Sequence, residues 1–261
     1  MYFYFYDKFI QDQKYQAALN KMETRLIDLG INGRIEKLSI FKNAKELIED
    51  SIKHGAQTIV AVGNDKTFAT LVNIIAPFNV ALGFIPFDPD SRFAQALGMP
   101  IGEEACSVIS RRRYTTLDVG KIGTQYFLGS VRVIHNGTHL SMRCDRSYSI
   151  QSTNQMNEVR ILNMGDIVGA PELELADAAD GRLTIIVEPL IAKKLLPFGR
   201  ASKKRESLFL AQHVDVQSTG DAVTLSVDGI ATVNTPCTVE IIPQGIKVIV
   251  GPNRKLRHVN E

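Results

Sequence analysis

Up to about residue 111 the chain alternates short apolar runs with amphipathic stretches. Tyr2–Tyr6 is a β-like aromatic run, and Tyr15, Ala18, Leu19, Met22, Leu26 and Leu29 follow near the 3.6-residue spacing of a helix. Gly30 and Asn32-Gly33 stop that helix. The pattern then predicts a strand over 35–41, a helix over 44–54 behind an Asn43 N-cap, and a buried β-branched strand over 58–62. A tight polar turn over 63–67, a helix over 68–75, a strand over 80–86 and helical stretches over 91–97 and 103–111 complete this part. Strands alternating with helices imply a parallel sheet with crossover helices, whose ligands lie beyond the carboxyl ends of the strands. From Tyr114 onward the texture changes. Short β-like runs at 117–119, 126–134, 141–150, 159–162, 183–187, 213–217, 223–227, 237–242 and 246–250 are separated by turns, the signature of an antiparallel sandwich or barrel. The fold class expected is an α/β N-terminal domain (1–115) with a mostly parallel sheet. An all-β, antiparallel sandwich-like C-terminal domain (116–261) follows it.

Composition narrows the classes. With 44% hydrophobic and 22% charged residues both parts can bury cores. A net charge of +2 gives no global field toward nucleic acid, and none is expected as a partner. Cys106, Cys144 and Cys237 are far apart, without a CxxC pair, which fits a reducing compartment and no zinc site. Met1–Tyr6 is apolar, but Asp7 and Lys8 end the run before a signal h-region could form. The uncharged stretch Thr67–Phe87 has the length of a membrane span, but Pro77, Asn73 and Asn79 break it, so a helix, a break and a strand are expected. The expected location is cytoplasmic, with peripheral contact at a membrane.

Four segments could carry chemistry. Gly63-Asn64-Asp65-Lys66-Thr67 lies between a buried strand and a helix. A glycine there lets backbone N–H groups approach a phosphate, and a helix N-terminus favours an anion. Asp65 could hold Mg²⁺ through water or orient a hydroxyl, and Thr67 could donate to a phosphate oxygen. The plain alternative is a helix N-cap with no ligand. Pro86–Pro100 (PFDPDSRFAQALGMP) combines a turn with a short helix, and Asp90 or Ser91 would cap it. Asp228-Gly229-Ile230 carries a DG hairpin signal, or else offers a carboxylate at a strand end. Lys193–Arg205 (KKLLPFGRASKKR) has six cations and no acid around Leu195, Leu196, Pro197 and Phe198. That composition suits either a solvated loop or a loop touching an anionic bilayer.

In their order these pieces resemble the diacylglycerol kinase / sphingosine kinase family of lipid kinases, over most of the chain. Thr58–Asn73 (TIVAVGNDKTFATLVN) resembles the family's strand, GGDGT-type loop and following helix. Leu82–Pro100 resembles the strand and PxGTxNDFARxLGIP-type motif. Asp180-Gly181-Arg182-Leu183 resembles the DGxL entry of the second domain. Val227–Gly229, Pro236 and Val250-Gly251-Pro252 resemble the DGE-type turn and the closing strand, which often returns to the first lobe. The resemblance implies an ATP-binding first lobe, a β-sandwich second lobe, and transfer of a γ-phosphoryl group to a lipid hydroxyl with Mg²⁺. It also implies a lipid substrate of diacylglycerol type and carries homodimerisation as an option. On it, Asp65 and Asp228 are the catalytic candidates, Asp65 the metal candidate, and Gly63, Asn64, Lys66, Thr67 and Asp88 the cofactor-binding candidates.

The departures change that picture. Asn64 and Lys66 replace two loop glycines, and Thr70 stands where the helix glutamate is expected. The phosphate-binding Gly-Thr is Asp88-Pro89, the Asn-Asp pair is Ser91-Arg92, and Ile230 replaces the glutamate of the DGE-type turn. Pro89 removes a backbone donor, and Asp88 and Asp90 bring negative charge to a phosphate position. Lys66, or Mg²⁺ on the acidic turn, could offset it. Two functions therefore stand: a divergent ATP-dependent lipid kinase, and a pseudokinase of the same fold that binds lipid or regulates. A NAD kinase-like enzyme, which shares a GGDGT-type loop, is a weaker third; the LGMP-ended helix and the DGRL strand count against it.

Overall fold

The computed structural model describes residues 1–38, 43–135, 139–152, 157–164, 177–189 and 207–256. The chain divides into two compact units, the first Met1–Val119 together with the stretch from Pro243 on, the second most of Gly120–Ile242.

In the first unit the order is β1 (Tyr2–Tyr6), α1 (Gln16–Asp28), β2 (Arg34–Lys37), α2 (Ala44–Lys53), β3 (Thr58–Gly63), α3 (Asp65–Ile75), β4 (Ala81–Pro86), α4 (Arg92–Leu97) and α5 (Glu104–Ser110). The strands run parallel in the order β2-β1-β3-β4. Every residue of β1, β3 and β4 is buried, which is why these strands read as unbroken apolar runs rather than alternations. The aromatic β1 keeps its polar tips satisfied: the Tyr6 hydroxyl donates to Glu23 at 3.1 Å and the Tyr4 hydroxyl to the Ile31 carbonyl. Burial raises both phenols well above their usual range. The Thr67–Phe87 stretch resolves into most of one helix, a turn and one strand. Among the described residues no helix is long and apolar enough to cross a membrane.

The strands that follow are β5 (Tyr114–Ile122), whose first residues belong to the first unit, β6 (Gln125–Phe127), β7 (Ser130–His135), β8 (His139–Cys144), β9 (Tyr148–Ser152), β10 (Asn157–Leu162), β11 (Leu183–Pro189), β12 (Ser207–Ala211), β13 (His213–Thr219), β14 (Thr224–Val227), β15 (Ala231–Asn234) and β16 (Cys237–Ile249), whose stretch from Pro243 belongs to the first unit; within the second unit they pair antiparallel. One sheet runs β12-β11-β10-β7-β14-β15; in the other, β13 pairs with β8 and with Cys237–Glu240 of β16, and β8 pairs with β9. Val131, Val133, Val159, Ile161 and Ile185 of the first meet Leu140, Met142, Val214, Val216 and Val239 of the second in one apolar core. The fold class expected from the sequence is the one observed. The last residues of β16 pair in parallel with β4, Lys247 against Ala81 and Val248 against Leu82. All three cysteines are free; burial pushes the Cys106 and Cys237 thiols up to about 11.

Several boundaries differ from the periodicity, each for a physical reason. The helix expected from Phe68 starts at Asp65, because Asn64 caps it. The run at 141–150 is a hairpin that turns at Asp145 and Arg146, both at positive φ, and Asp145 holds the N–H groups of Gln212 and His213. The runs at 237–242 and 246–250 are one strand. Gln244 stands at positive φ inside it, and Asp118 accepts its N–H at 2.8 Å. The run at 126–134 breaks into β6 and β7 around Leu128-Gly129, and strands β12 and β15 add to the expected set.

That last break has one cause. The Asp228 carboxylate accepts the N–H groups of Leu128 at 3.0 Å, Gly129 at 3.2 Å and Ser130 at 2.6 Å. Asp228 and Gly229 have φ of 46° and 67°, so the DG signal makes the expected hairpin turn, between β14 and β15. An asparagine at 228 would set an NH₂ against at least one of these donors, whichever way its amide turns. Asp228→Asn is expected to lower stability by about 1–3 kcal/mol, read by urea denaturation of purified protein. An unchanged midpoint and slope would show that the three bonds hold nothing together.

Candidate functional site

The turns after β3 and β4 lie side by side because the strands are in parallel register, with Gly63 opposite Pro86. The Phe87 N–H donates to the Gly63 carbonyl at 2.7 Å. Into this corner the chain brings Asp7 from the end of β1, Asn64, Asp65 and Thr67 from the start of α3, and Ser91 and Arg92 from the start of α4.

At α3 the polar side chains are spent on one another. Asn64 Oδ1 accepts the Thr67 N–H at 3.1 Å, and Thr67 Oγ1 accepts the Asn64 N–H at 3.3 Å, a reciprocal capping box. The Thr67 hydroxyl also donates to the Asp7 carboxylate. Gly63 is required here for packing: a Cβ on it would lie 2.5 Å from Thr67 Oγ1 and 2.8 Å from Asp7 Cβ. The space beside Gly63 is thus taken by Asp7 and Thr67.

At α4 the anion position is filled from within the chain. The Asp65 carboxylate accepts the Arg92 N–H at 2.8 Å, the Phe93 N–H at 3.4 Å and the Ser91 hydroxyl. Ser91 Oγ in turn caps the helix by accepting the Ala94 N–H at 3.0 Å. A carboxylate at a helix N-terminus is favoured for the same reason that a phosphate is.

The remaining candidates sit apart from these bonds. Half-buried Asp88 accepts the Asp90 N–H at 3.1 Å, an Asx turn, while Pro89 and Asp90 are exposed. Lys66 is exposed on the first turn of α3, its carbonyl taken by the Thr70 hydroxyl at 2.8 Å. Asp228 belongs to the second unit and holds the 128–130 corner described above. Among the described residues no three His, Cys, Asp or Glu side chains gather as a metal site. Gly63, Asn64, Asp65 and Thr67 are therefore brought together; Lys66 and Asp88 lie on the adjoining surface. Ser91 caps α4, as one of the two residues expected to, whereas Asp7 was missed as a member of this corner. The signal for Asp7 was available: it directly follows a buried strand of a parallel sheet, hence stands at a carboxyl end.

With that geometry in view, residues 2–122 match the family model of the diacylglycerol kinase catalytic domain. This part of the chain is similar to that catalytic domain. Three structures from Bacillus anthracis str. Sterne share the fold over nearly their whole length. A diacylglycerol kinase has TM-score 0.76 and 18% identity, covering 97% of both chains. A putative diacylglycerol kinase has TM-score 0.76 and 18% identity, covering 96% of this chain and 97% of its own. A further putative diacylglycerol kinase has TM-score 0.72 at 18% identity, covering 97% and 98%. No curated protein matches the sequence. The fold is thus shared, and the turns after β3 and β4 carry, in this chain, a capping box and a captured carboxylate.

Thr67→Val removes both the bond to Asp7 and half of the capping box. It is expected to cost about 1–3 kcal/mol in thermal or urea unfolding, whereas Lys66→Ala on the exposed side of the same turn stays within about 0.5 kcal/mol. Equal effects of the two would mean that the Asp7–Thr67 corner is not a structural tie.

Proposed function

We propose that this is a lipid kinase-like protein whose phosphoryl-donor site is closed by its own side chains, and that it binds lipid or regulates rather than phosphorylates. The observation that carries the reading is the Asp65 carboxylate on the N–H groups of Arg92 and Phe93. A triphosphate arriving there would meet a carboxylate already in the anion position and, next to it, Asp88 and Asp90 in a turn whose Pro89 offers no N–H. Beside Gly63 it would meet Asp7 and Thr67. These residues do not fit a nucleotide triphosphate with Mg²⁺. In this reading 1–115 is a nucleotide-binding-type lobe that has lost its ligand, and 116–261, apart from the closing stretch from Pro243 that belongs to the first unit, is the lobe that takes lipid. Asp228 acts as a positioning residue. Both of its oxygens accept backbone N–H groups, which fixes the carboxylate on the 128–130 corner.

The second reading, an active ATP-dependent lipid kinase acting on a diacylglycerol-type hydroxyl, draws on Lys66. It places a cation on the first turn of α3, where the helix end also favours an anion. The match of residues 2–122 to the diacylglycerol kinase catalytic domain favours either reading over a NAD kinase-like one. Calorimetric titration with ATP and Mg²⁺, beside ADP, separates the two: no heat at millimolar nucleotide is expected. Micromolar binding would reopen the kinase reading, and phosphorylation of diacylglycerol in mixed micelles would establish it.

The basic segment Lys193–Arg205 lies outside the described residues, and its support is its composition alone. Neutralising Lys193, Lys194, Lys203 and Lys204 is expected to weaken cosedimentation with anionic vesicles. Unchanged sedimentation would return the segment to a solvated loop.

A further inference from the structure

A groove of about 590 Å³ lies between α1 and α5 of the first unit and shares no residue with the closed corner. The two helices are held side by side there. Met22 is fully buried and its carbonyl lies 3.9 Å from the Cys106 thiol, while Arg25 Nη2 donates to Ser107 Oγ at 3.2 Å. α1 lines the groove with Lys21, Arg25 and Asp28, and α5 with Glu104 and, just before its first turn, Glu103. All of these charged residues are exposed to solvent. The volume falls within the range of small-ligand sites, about 300–1,000 Å³.

Both signs of charge therefore line one groove, yet they do not neutralise each other. Among the described residues none of these charged side chains forms an ion pair within 4.0 Å. A helix start favours acids, which accounts for Glu104. It does not account for two cations and three acids held apart across an open space. The neutral side chains beside them are bonded along α1. Asn20 Oδ1 accepts from Gln16 Nε2 at 2.9 Å, and the Thr24 hydroxyl donates to the Asn20 carbonyl at 2.9 Å. Arg25 spends one N–H on Ser107 and keeps its others for a further acceptor. Ser107 Oγ accepts that bond and retains its own O–H as a donor. Guanidinium, hydroxyl and the Lys21 ammonium together suit a carboxylate, and Glu103 and Glu104 suit an ammonium group.

We propose that this groove binds a small zwitterion of the amino-acid or short-peptide class. Its carboxylate would lie against Arg25, Ser107 and Lys21, and its ammonium group against Glu103 and Glu104. A ligand carrying both charges completes contacts that the side chains leave open between them. A simple anion would meet the acids as well as the cations, and a simple amine the reverse, so each gains less. The proposal goes beyond the reading of the closed corner and does not depend on it, since the residues are different and the ligand is neither nucleotide nor lipid.

The test is titration of the ¹⁵N-labelled full chain with three probes, followed through its amide resonances: triglycine, its N-acetyl form, which keeps only the carboxylate, and its C-terminal amide, which keeps only the ammonium group. Triglycine is expected to shift amides of α1 and α5 saturably, and each blocked form to bind about fivefold more weakly, the upper range for one exposed ion pair. Arg25→Gln should weaken triglycine about fivefold and leave the C-terminal amide unchanged. Glu103→Gln with Glu104→Gln should weaken triglycine and leave the N-acetyl form unchanged. Lys21→Gln repeats the first arm without touching the Arg25–Ser107 bond. No saturable shift with millimolar triglycine overturns the proposal. Equal binding of triglycine and both blocked forms does so too, and needs no variant. So does an equal loss for all three probes in Arg25→Gln and Lys21→Gln, which would mean that these side chains shape the helix pair and do not read the ligand's charge.

Discussion

The captured carboxylate of Asp65 is the interaction on which the first unit's functional edge depends. Parallel pairing of β3 with β4 forces the two following turns together, and two helices then begin within a few ångströms of each other. Each helix start presents N–H groups that need acceptors. In this chain the acceptors are its own side chains: Asn64 and Thr67 serve α3, Asp65 and Ser91 serve α4. Once those donors are served from within, the edge has structure without need of a ligand. The same atoms cannot hold the chain's own carboxylate and a phosphate at once.

Asp228 follows the same logic in the second unit. It stands where the family resemblance places a catalytic carboxylate, yet its oxygens gather the N–H groups of three consecutive residues at the break between β6 and β7. Both candidate catalytic aspartates thus close gaps in backbone hydrogen bonding. A lineage that keeps its fold while its sites change use is the ordinary case, because fold stability rests on buried strands and caps and not on the reaction. The glycine pair Gly98 and Gly251 shows the fold-keeping side, since a Cβ on Gly251 would meet the Gly98 carbonyl oxygen at 1.8 Å.

Much of this architecture was legible along the chain. Buried parallel strands announce themselves as short uncharged runs, and Thr58–Val62 needed no neighbour to be read. The change of texture near residue 114, the DG turn and the Asn43 cap were equally local. What escaped were features made by distant partners. The pattern gives no reason for a strand to break at Leu128-Gly129 until Asp228 arrives from about a hundred residues away. Nor does it show that one strand continues through Pro243 and Gln244 until Asp118 takes the exposed N–H. Both aspartates look, in sequence, like ordinary turn and strand polar residues.

By itself the sequence determined the α/β and antiparallel parts, most of their elements, the resemblance of the first part to the diacylglycerol kinase catalytic domain, and the residues Asn64 and Lys66 in place of two loop glycines. These follow from local propensity, periodicity and residue identity. Only the tertiary structure decided what the replacements do. Asn64 turned out to be a cap, Asp7 a member of the corner, and Asp65 the occupant of an anion position 26 residues further along the chain. A hydrogen-bond acceptor is chosen by which donors the fold brings within about 3 Å, and strand register, not sequence neighbourhood, sets that distance.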